Sequence, residues 1–452
     1  MSLNVALNTA VSGLLANQRA LAATSENIAN VNTPDFVRRE VNFFTDAIPN
    51  QFSGVDVEIA RAAVDRFLQG ASLQGNADAA GSTAIAEALG RIEASLGAPG
   101  DNISFANRLD EAFAALTVLS ADPSSPAARA NAVAALDEAF NAFARTQDAI
   151  NLESAAAADQ IEVSVARANI LLEEIFRLNQ SAPDSDGALD LIDARLSELS
   201  SLINISVTRA DDGRVTVTTE NGTVLSNPGG FTALGFNAGP PSSLTLSTVS
   251  DDGSVQTQIN AAIDGEISSG QLRGLLDLTN TELPALSGLV SGTAQSIANE
   301  LNNVYSQNTN VGETVTTADQ LIVVDGAGNF VVNPSIVADP TTLAIARPSA
   351  GNPGGANDGL GAIELANVSL TPAAGQAAQT VALIGSAVRN AELAAETNTA
   401  LSAELSARAS EAGGVNLDEE LSNLIVFQQA FNANARVIAA VDELWQSLLA
   451  II

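Results

Sequence analysis

This 452-residue chain contains no cysteine, no histidine and no lysine. Without cysteine there are no disulfides, no thiolate nucleophile and none of the commonest structural zinc sites. Without histidine there is no imidazole base, no Ser-His-Asp triad and no imidazole metal ligand. Aromatic residues make up only 4% of the chain, so its core must be assembled from small aliphatic side chains. No uninterrupted apolar run approaches the roughly 18 residues that a membrane-spanning helix needs, so no membrane insertion is expected. The basic stretch and compact apolar block of a secretory signal peptide are also missing from the start. The expectation is therefore a protein that stays in the cytoplasm or leaves by a route without such a signal.

What is present is acid. There are 52 acidic residues against 19 basic ones, all of them arginine, for a net charge of −33. That balance repels nucleic-acid phosphates and anionic membrane surfaces. The acidity is unevenly spread, since 1–18 and 421–435 carry no charged side chain at all. A helix open to water on one side normally shows charge there, whereas these two segments show Asn, Gln, Ser, Thr and Ala. Both carry an apolar seven-residue repeat, Leu7, Leu14, Leu21 and Ile28 near the start and Leu417, Leu424, Phe431, Ile438 and Trp445 near the end. Such a repeat lays one stripe along a helix that another helix must cover. Both ends are read as assembly surfaces, with core-packed terminal helices as the plainer alternative.

Between them, periodicity predicts helices over 3–30, 82–96, 104–119, 125–178, 187–202, 272–305 and 376–412. The longest carries apolar residues from Val133 to Ile175 at spacings of three, four or seven. The stretch 36–76 reads as short extended runs with polar breaks. Ile205–Thr208 and Val215–Thr218 alternate with period two around Ala210-Asp211-Asp212-Gly213, which predicts a β-hairpin. A second turn is expected at Asp251-Asp252-Gly253. Strand candidates follow at Leu321–Val324 and Phe330–Val332, and a Gly/Pro/Asn-rich loop at Pro348–Gly361. Asn416, three residues before Glu419, has capping-box spacing for the last helix. The fold class expected is mainly α with β insertions, an elongated multi-domain protein whose N- and C-terminal helices pair antiparallel as a coiled coil. Residues 1–35 and 415–452 would form that terminal domain. Residues 36–204, 270–306 and 374–414 would form a helical rod, and 205–269 with 307–373 a β-rich insertion projecting outward.

Ser25 to Phe36, with Asn27, Ala29, Asn30, Thr33, Pro34 and Phe36 as its defining positions, resembles the N-terminal signature shared by axial proteins of the bacterial flagellum. Val415 to Leu449, especially Val426-Phe427-Gln428-Gln429-Ala430-Phe431, is similar to the C-terminus of the flagellar hook-associated protein 1 family. Gly270 to Leu278, with Asn299 to Tyr305 after it, resembles an internal block of that family. The one departure is Asp35, where the signature usually has Gly, which bears on the turn alone.

The resemblance implies a structural protein, not an enzyme, without cofactor or metal, at the hook–filament junction outside the cell. It implies helical self-assembly through the terminal helices, with the hook protein and the second junction protein as neighbours. It also implies flagellar type III export without a cleaved signal, and an export chaperone holding the C-terminal region. The alternatives are a sister axial protein (hook, distal rod, second junction protein or filament subunit) or a secreted acidic glycan binder or hydrolase. Helical content over 82–202 argues against hook and rod proteins.

Other motifs are read plainly. Asp325-Gly326-Ala327-Gly328-Asn329 is a turn, because it lacks the spaced acidic ligands of a calcium loop. Gly351-Asn352-Pro353-Gly354-Gly355 lacks the Lys and helix start of a phosphate cradle. A glycosidase-like carboxylate pair is disfavoured, since carboxylates this numerous are read as solvated faces. Arg38 and Arg39 are read as solvated, with acidic neighbours the alternative, and Trp445 as either helix-pair packing or a partner anchor.

Overall fold

The computed structural model describes residues 3–33, 36–48, 51–61, 65–97, 101, 103–182, 186–249, 255–259, 263, 265–313, 316, 317, 319–348 and 354–449. The chain opens with helix α1 (Leu3–Ala29) and a long antiparallel ribbon, β1 (Arg39–Ile48) with β2 (Gln51–Arg61). Four helices follow: α2 (Arg66–Leu96), α3 (Phe105–Ala121), α4 (Pro126–Ser181) and α5 (Asp186–Leu202). Strands β3 (Ser206–Arg209), β4 (Val215–Thr218), β5 (Val224–Asn227), β6 (Gly230–Asn237), β7 (Ser243–Val249) and β8 (Val255–Ile259) form an antiparallel meander in chain order. Helix α6 (Gln271–Asp277) runs through a π-helical turn into α7 (Leu283–Tyr305). Then come a small hairpin, β9 (Ile322–Val324) with β10 (Phe330–Val332), and short helices α8 (Pro334–Ala338) and α9 (Leu360–Ala366). Helices α10 (Pro372–Gly413) and α11 (Leu417–Leu449) end the described chain.

Helix α4 is the spine. Ser125 caps its first turn by accepting from the Ala128 amide, and Pro126 sits at the first helical position, where its missing N–H costs nothing. Its 56 residues span about 84 Å at about 1.5 Å each. The apolar stripe is buried from Val133 through Phe140, Phe143, Ile150, Ile161, Val165 and Leu172 to Ile175. The first half of α4 holds α3 through Phe105, whose ring stacks on Phe143 at 4.3 Å between centroids. The other end holds α5 through Arg167–Glu198 and Glu174–Arg195.

The six-stranded sheet lies against that same end rather than projecting freely. Leu225, Leu234, Leu244 and Leu246 from its strands are buried in the core they share with α4. Two asparagines on α4 stitch it down. Asn179 donates to the Val215 carbonyl and accepts from the Val215 amide, at 2.9 and 2.8 Å. Asn169 does the same to Leu234, at 2.9 and 2.7 Å. Asn280 brackets Ser242 and Asn302 brackets Ile322 in the same way. A carboxamide is the one side chain that offers a donor and an acceptor side by side, so it mimics a neighbouring strand and satisfies an edge.

The stretch expected to share a β-rich insertion with this sheet does not join it. Strand β10, helix α8 and the turn after it pack instead on α4, with β9 against α7, and this two-stranded hairpin is separate from the meander. There Arg129, buried, donates to the carbonyls of Pro123, Thr341 and Leu343. Asp325 closes a turn, its carboxylate accepting from the Ala327 and Asn329 amides at 2.8 Å each. The expected turn at Asp251-Asp252-Gly253 and residues 349–353 of the Gly/Pro-rich loop lie outside the described residues.

The block from Gly270 to Leu278 has a clear packing role. A Cβ on Gly274 would lie 2.4 Å from the Gly81 carbonyl oxygen, and one on Gly81 would lie 2.8 Å from that of Gly270. Helix α6 therefore crosses α2 with backbones touching, a distance only glycine permits. Across the molecule one continuous core runs from Leu73 to Val388. Among the described residues it includes none of α1, the ribbon or α11.

Candidate assembly interface

The excluded elements form a unit of their own. Asn27 on α1 donates to Glu420 on α11, and Gly13 on α1 faces Asn434. Fourteen residues forward on one helix are thus fourteen back on the other, and the pair is antiparallel. The ribbon covers one side. Ser12 Oγ accepts from the Val55 amide at 3.1 Å, and the rings of Phe43 and Phe427 lie 5.7 Å apart.

The buried face of α1 consists of Ala16 and Ala23 together with a row of Ala10, Gly13, Asn17, Ala20, Thr24 and Asn27. The row has the three-and-four spacing of a heptad seam, but the side chains are small. At Gly13 a Cβ would already come within 2.9 Å of the Asn434 amide, so leucine has no room there. The leucine stripe lies to one side of this seam, with Leu7, Leu14, Leu21 and Ile28 half-buried. On α11 the stripe is nearer the seam. Leu424, Phe431 and Ile438 are half-buried alongside buried Glu420 and Val441, whereas Leu417 and Trp445 are 42% and 40% exposed. Further apolar side chains face solvent, among them Leu15, Leu421, Ile425, Val426 and Leu444.

The signature residues form the joint between this unit and the rod. Asn27, fully buried, brackets Arg39 as the other asparagines bracket their strands, accepting from its amide at 2.8 Å and donating to its carbonyl at 2.9 Å. Its second amide hydrogen reaches Glu420 at 3.1 Å. Asn30 closes α1 by donating to the Glu26 carbonyl, and its own side-chain oxygen accepts from Thr33 Oγ1. Ala29 and Thr33 are exposed, and Phe36 lies under the Arg39 guanidinium, 5.3 Å from ring centre to charge. Pro34 and Asp35 lie outside the described residues.

Arg38 and Arg39 are not solvated, which corrects the plainer reading of the sequence. Arg38 meets Glu419 and Glu420 at 2.7 Å each, and its amide donates to the Gly413 carbonyl. The hydrogen bond to Glu419 and the charge of Glu420 raise the Arg38 pKa against the opposing effect of burial. Arg39 is buried and reaches Asp190 on α5 at 2.5 Å. The carboxylates lie on α5 and α11, more than 150 residues away in sequence, and only the fold brings them together. Asn416 caps α11 as expected, accepting from the Asp418 and Glu419 amides, while the Glu419 carboxylate turns to Arg38.

No cluster of three or more carboxylates that could hold a metal occurs among the described residues, and no described helix is long and apolar enough to cross a membrane.

Residues 89–319 match the family model of the flagellar hook-associated protein FlgK helical domain. Residues 7–36 match that of the flagella basal body rod protein, and 407–451 that of the flagellar basal body rod FlgEFG protein C-terminal. The chain is 24% identical to flagellar hook-associated protein 1 of Escherichia coli (strain K12), across 98% of this chain and 99% of that one. It is 26% identical to flagellar hook-associated protein 1 of Bacillus subtilis (strain 168), across 98% and 97%. A short similarity, 60% identity over 45 residues, links 10% of this chain to 8% of the flagellar hook protein FlgE of Caulobacter vibrioides. Among solved structures, the flagellar hook junction protein FlgK from Burkholderia pseudomallei shares the fold at a TM-score of 0.50 and 20% identity. That likeness covers 58% of this chain and 47% of the other.

Proposed function

Because this chain belongs to the flagellar hook-associated protein FlgK family, structural components of the bacterial flagellum, we propose that it builds the junction between hook and filament, with α1, the ribbon and α11 as its lattice-forming end. The carrying observation is a partition. The two ends match models of basal body rod proteins, the middle matches the hook-associated family, and among the described residues the core of the middle excludes the ends. An axial protein that must continue one lattice and begin another has use for a shared end and a distinctive middle. No catalysis enters this role.

In this reading the half-buried stripe Leu7, Leu14, Leu21 and Ile28, and Leu424, Phe431, Ile438 and Trp445 opposite, complete their burial against neighbouring copies. The neighbours along the axis are the hook protein and the second junction protein. The chain reaches them outside the cell through the flagellar export apparatus, and a chaperone covers α11 beforehand. The uncharged stretches 1–18 and 421–435 with their exposed apolar side chains support this, since such surface needs cover until it is assembled. The sister-axial alternatives are disfavoured by the match over 89–319.

Electron microscopy of a deletion strain tests the role. Hooks without filaments, with unpolymerised filament subunits in the medium, are expected; normal filaments would refute it. Removing 417–452 is expected to abolish assembly while leaving the thermal melt of the middle intact. Restored motility with that truncation would refute the role given to α11.

A further inference from the structure

Asparagines on α4 bracket Val215 and Leu234 within the meander. Strand β3, which begins the meander, has no such clamp. The Ala210 amide donates to the Arg214 carbonyl. Alternation from that pair turns the backbone groups of Ser206 and Thr208 toward β4 and those of Val207 and Arg209 outward. Val215, directly opposite Arg209, is closed on its own outer side by Asn179. Among the described residues no hydrogen bond reaches the outward amide and carbonyl of Val207.

Beside that edge lies a groove of about 350 Å³, walled by Ile205, Val207 and Arg209 on one side and by Arg66, Gly70 and Leu73 of α2 on the other. Most arginines of this chain sit against a carboxylate, as Arg38, Arg91, Arg167 and Arg273 do. Arg66 is exposed and has no ion pair among the described residues. Arg209 is already engaged, by Asp193 and by the Gly213 carbonyl. Glu220, the carboxylate in the lining, is engaged by Ser268 and Asn204. The free charge of the groove is therefore positive, in a chain whose net charge is −33. Phe67 is 82% exposed and shares a side of α2 with Gly70 by its i, i+3 spacing. A Cβ on Gly70 would meet nothing within 4 Å, so the floor is open to an approaching backbone.

We propose that this groove takes an extended peptide segment of another protein, added to β3 as a further strand, with a carboxylate on Arg66 and an apolar side chain against Phe67. Each feature reads a different property of one occupant. An unpaired strand edge is a template for another strand, and the Val207 amide and carbonyl supply the pairing. A helix cannot use them, because its own amides and carbonyls are bonded internally. Arg66 favours an acidic side chain and opposes a basic one. A polyanion such as nucleic acid is repelled by the chain as a whole. The groove lies wholly between rod and sheet, so the inference goes beyond the junction reading and does not depend on it.

The probe is a fluorescein-labelled peptide of sequence Thr-Val-Asp-Val-Thr, titrated with the purified full chain and followed by anisotropy. Saturable binding is expected, with exchange of the Val207 amide slowed about tenfold or more at saturation. Arg66→Ala, which removes no ion pair of the folded chain, should weaken binding about fivefold. Asparagine in place of the peptide's aspartate should cost the same factor, and the two losses should not add. No saturable binding up to about 1 mM overturns the proposal. Equal affinity of Arg66→Ala and wild type, or an unprotected Val207 amide in the complex, overturns it as well. If the peptide-free chain self-associates and Arg66→Glu abolishes that, the occupant is a second copy and the proposal falls.

Discussion

Asn27→Ala is expected to loosen the joint between the terminal unit and the rod without unfolding the rod. The side chain is fully buried and satisfies three groups: the Arg39 amide, the Arg39 carbonyl and the Glu420 carboxylate. Alanine leaves all three short of a partner where water is excluded. Each buried polar group so orphaned costs about 1 to 3 kcal/mol, and local relaxation recovers part of it. A net loss of about 2 to 5 kcal/mol at the joint follows. No described residue of α1 belongs to the continuous core of the rod, so the global unfolding midpoint should move little. Native-state hydrogen exchange reads the local loss. The informative probe is the Arg38 amide, which donates to Gly413 and is not itself a partner of Asn27. At about 1.4 kcal/mol per tenfold, its exchange should accelerate between about thirtyfold and a few thousandfold. Asn30→Ala, which removes one exposed bond within a helical turn, should leave it within about twofold. An Arg38 amide exchanging at the wild-type rate in Asn27→Ala would refute the claim that this asparagine holds the joint.

Two further outcomes follow from the rod. Gly274→Ala should lower the urea midpoint, because its Cβ would strike the Gly81 backbone, at a cost of about 1 to 3 kcal/mol. Gly288→Ala in α7, where a Cβ meets nothing within 4 Å, should raise it by up to about 1 kcal/mol; shifts of the same sign would refute the close crossing of α2 and α6. The hydrogen bond from Arg167 holds the Glu198 carboxyl below its ordinary value of 4.5. A depressed carboxyl stabilises the fold above that value, and the contribution is lost as pH falls through the folded pKa. Melting temperature should therefore fall less steeply between about pH 5 and 3 in Glu198→Gln than in wild type, by an amount below about 1 kcal/mol since both side chains are more than a third exposed. An unchanged slope would remove the ion pair from the account.

The helices of the rod were readable because their apolar residues are large and regularly spaced. The stripe read from Val133 through Phe140, Ile150, Ile161 and Leu172 to Ile175 falls on the buried side of α4, while Leu152, Val163 and Ile170 off the stripe face solvent. Helix α2 was readable only from 82 onward although it starts at Arg66, capped by Asp65. Its first half carries Gly70, Gly75 and Gly81, with few large apolar residues to set a period. The ribbon after the signature was only half visible: the sequence showed short extended runs with polar breaks, whereas the two strands pair from Arg39 with Arg61 to Ile48 with Gln51. At the interface, large apolar residues drew attention to the leucine stripe, while contact between close-packed helices selects small side chains at the seam. The same three-and-four spacing of Ala10, Gly13, Asn17, Ala20, Thr24 and Asn27 was present in the sequence. Nothing local marked Arg38 and Arg39 as paired, because their carboxylates lie on α5 and α11.

Five asparagines, Asn27, Asn169, Asn179, Asn280 and Asn302, each clamp one backbone residue with a matched pair of hydrogen bonds. A carboxamide neither takes up nor releases a proton at any pH a bacterium meets, and it carries no charge for dissolved ions to mask. Brackish water, acid soil or a salty mucus layer can weaken every arginine–carboxylate contact on the surface and leave these five fastenings as they were. On the role proposed above, a flagellar part bathed in whatever medium surrounds it is in this way joined by fittings indifferent to the weather.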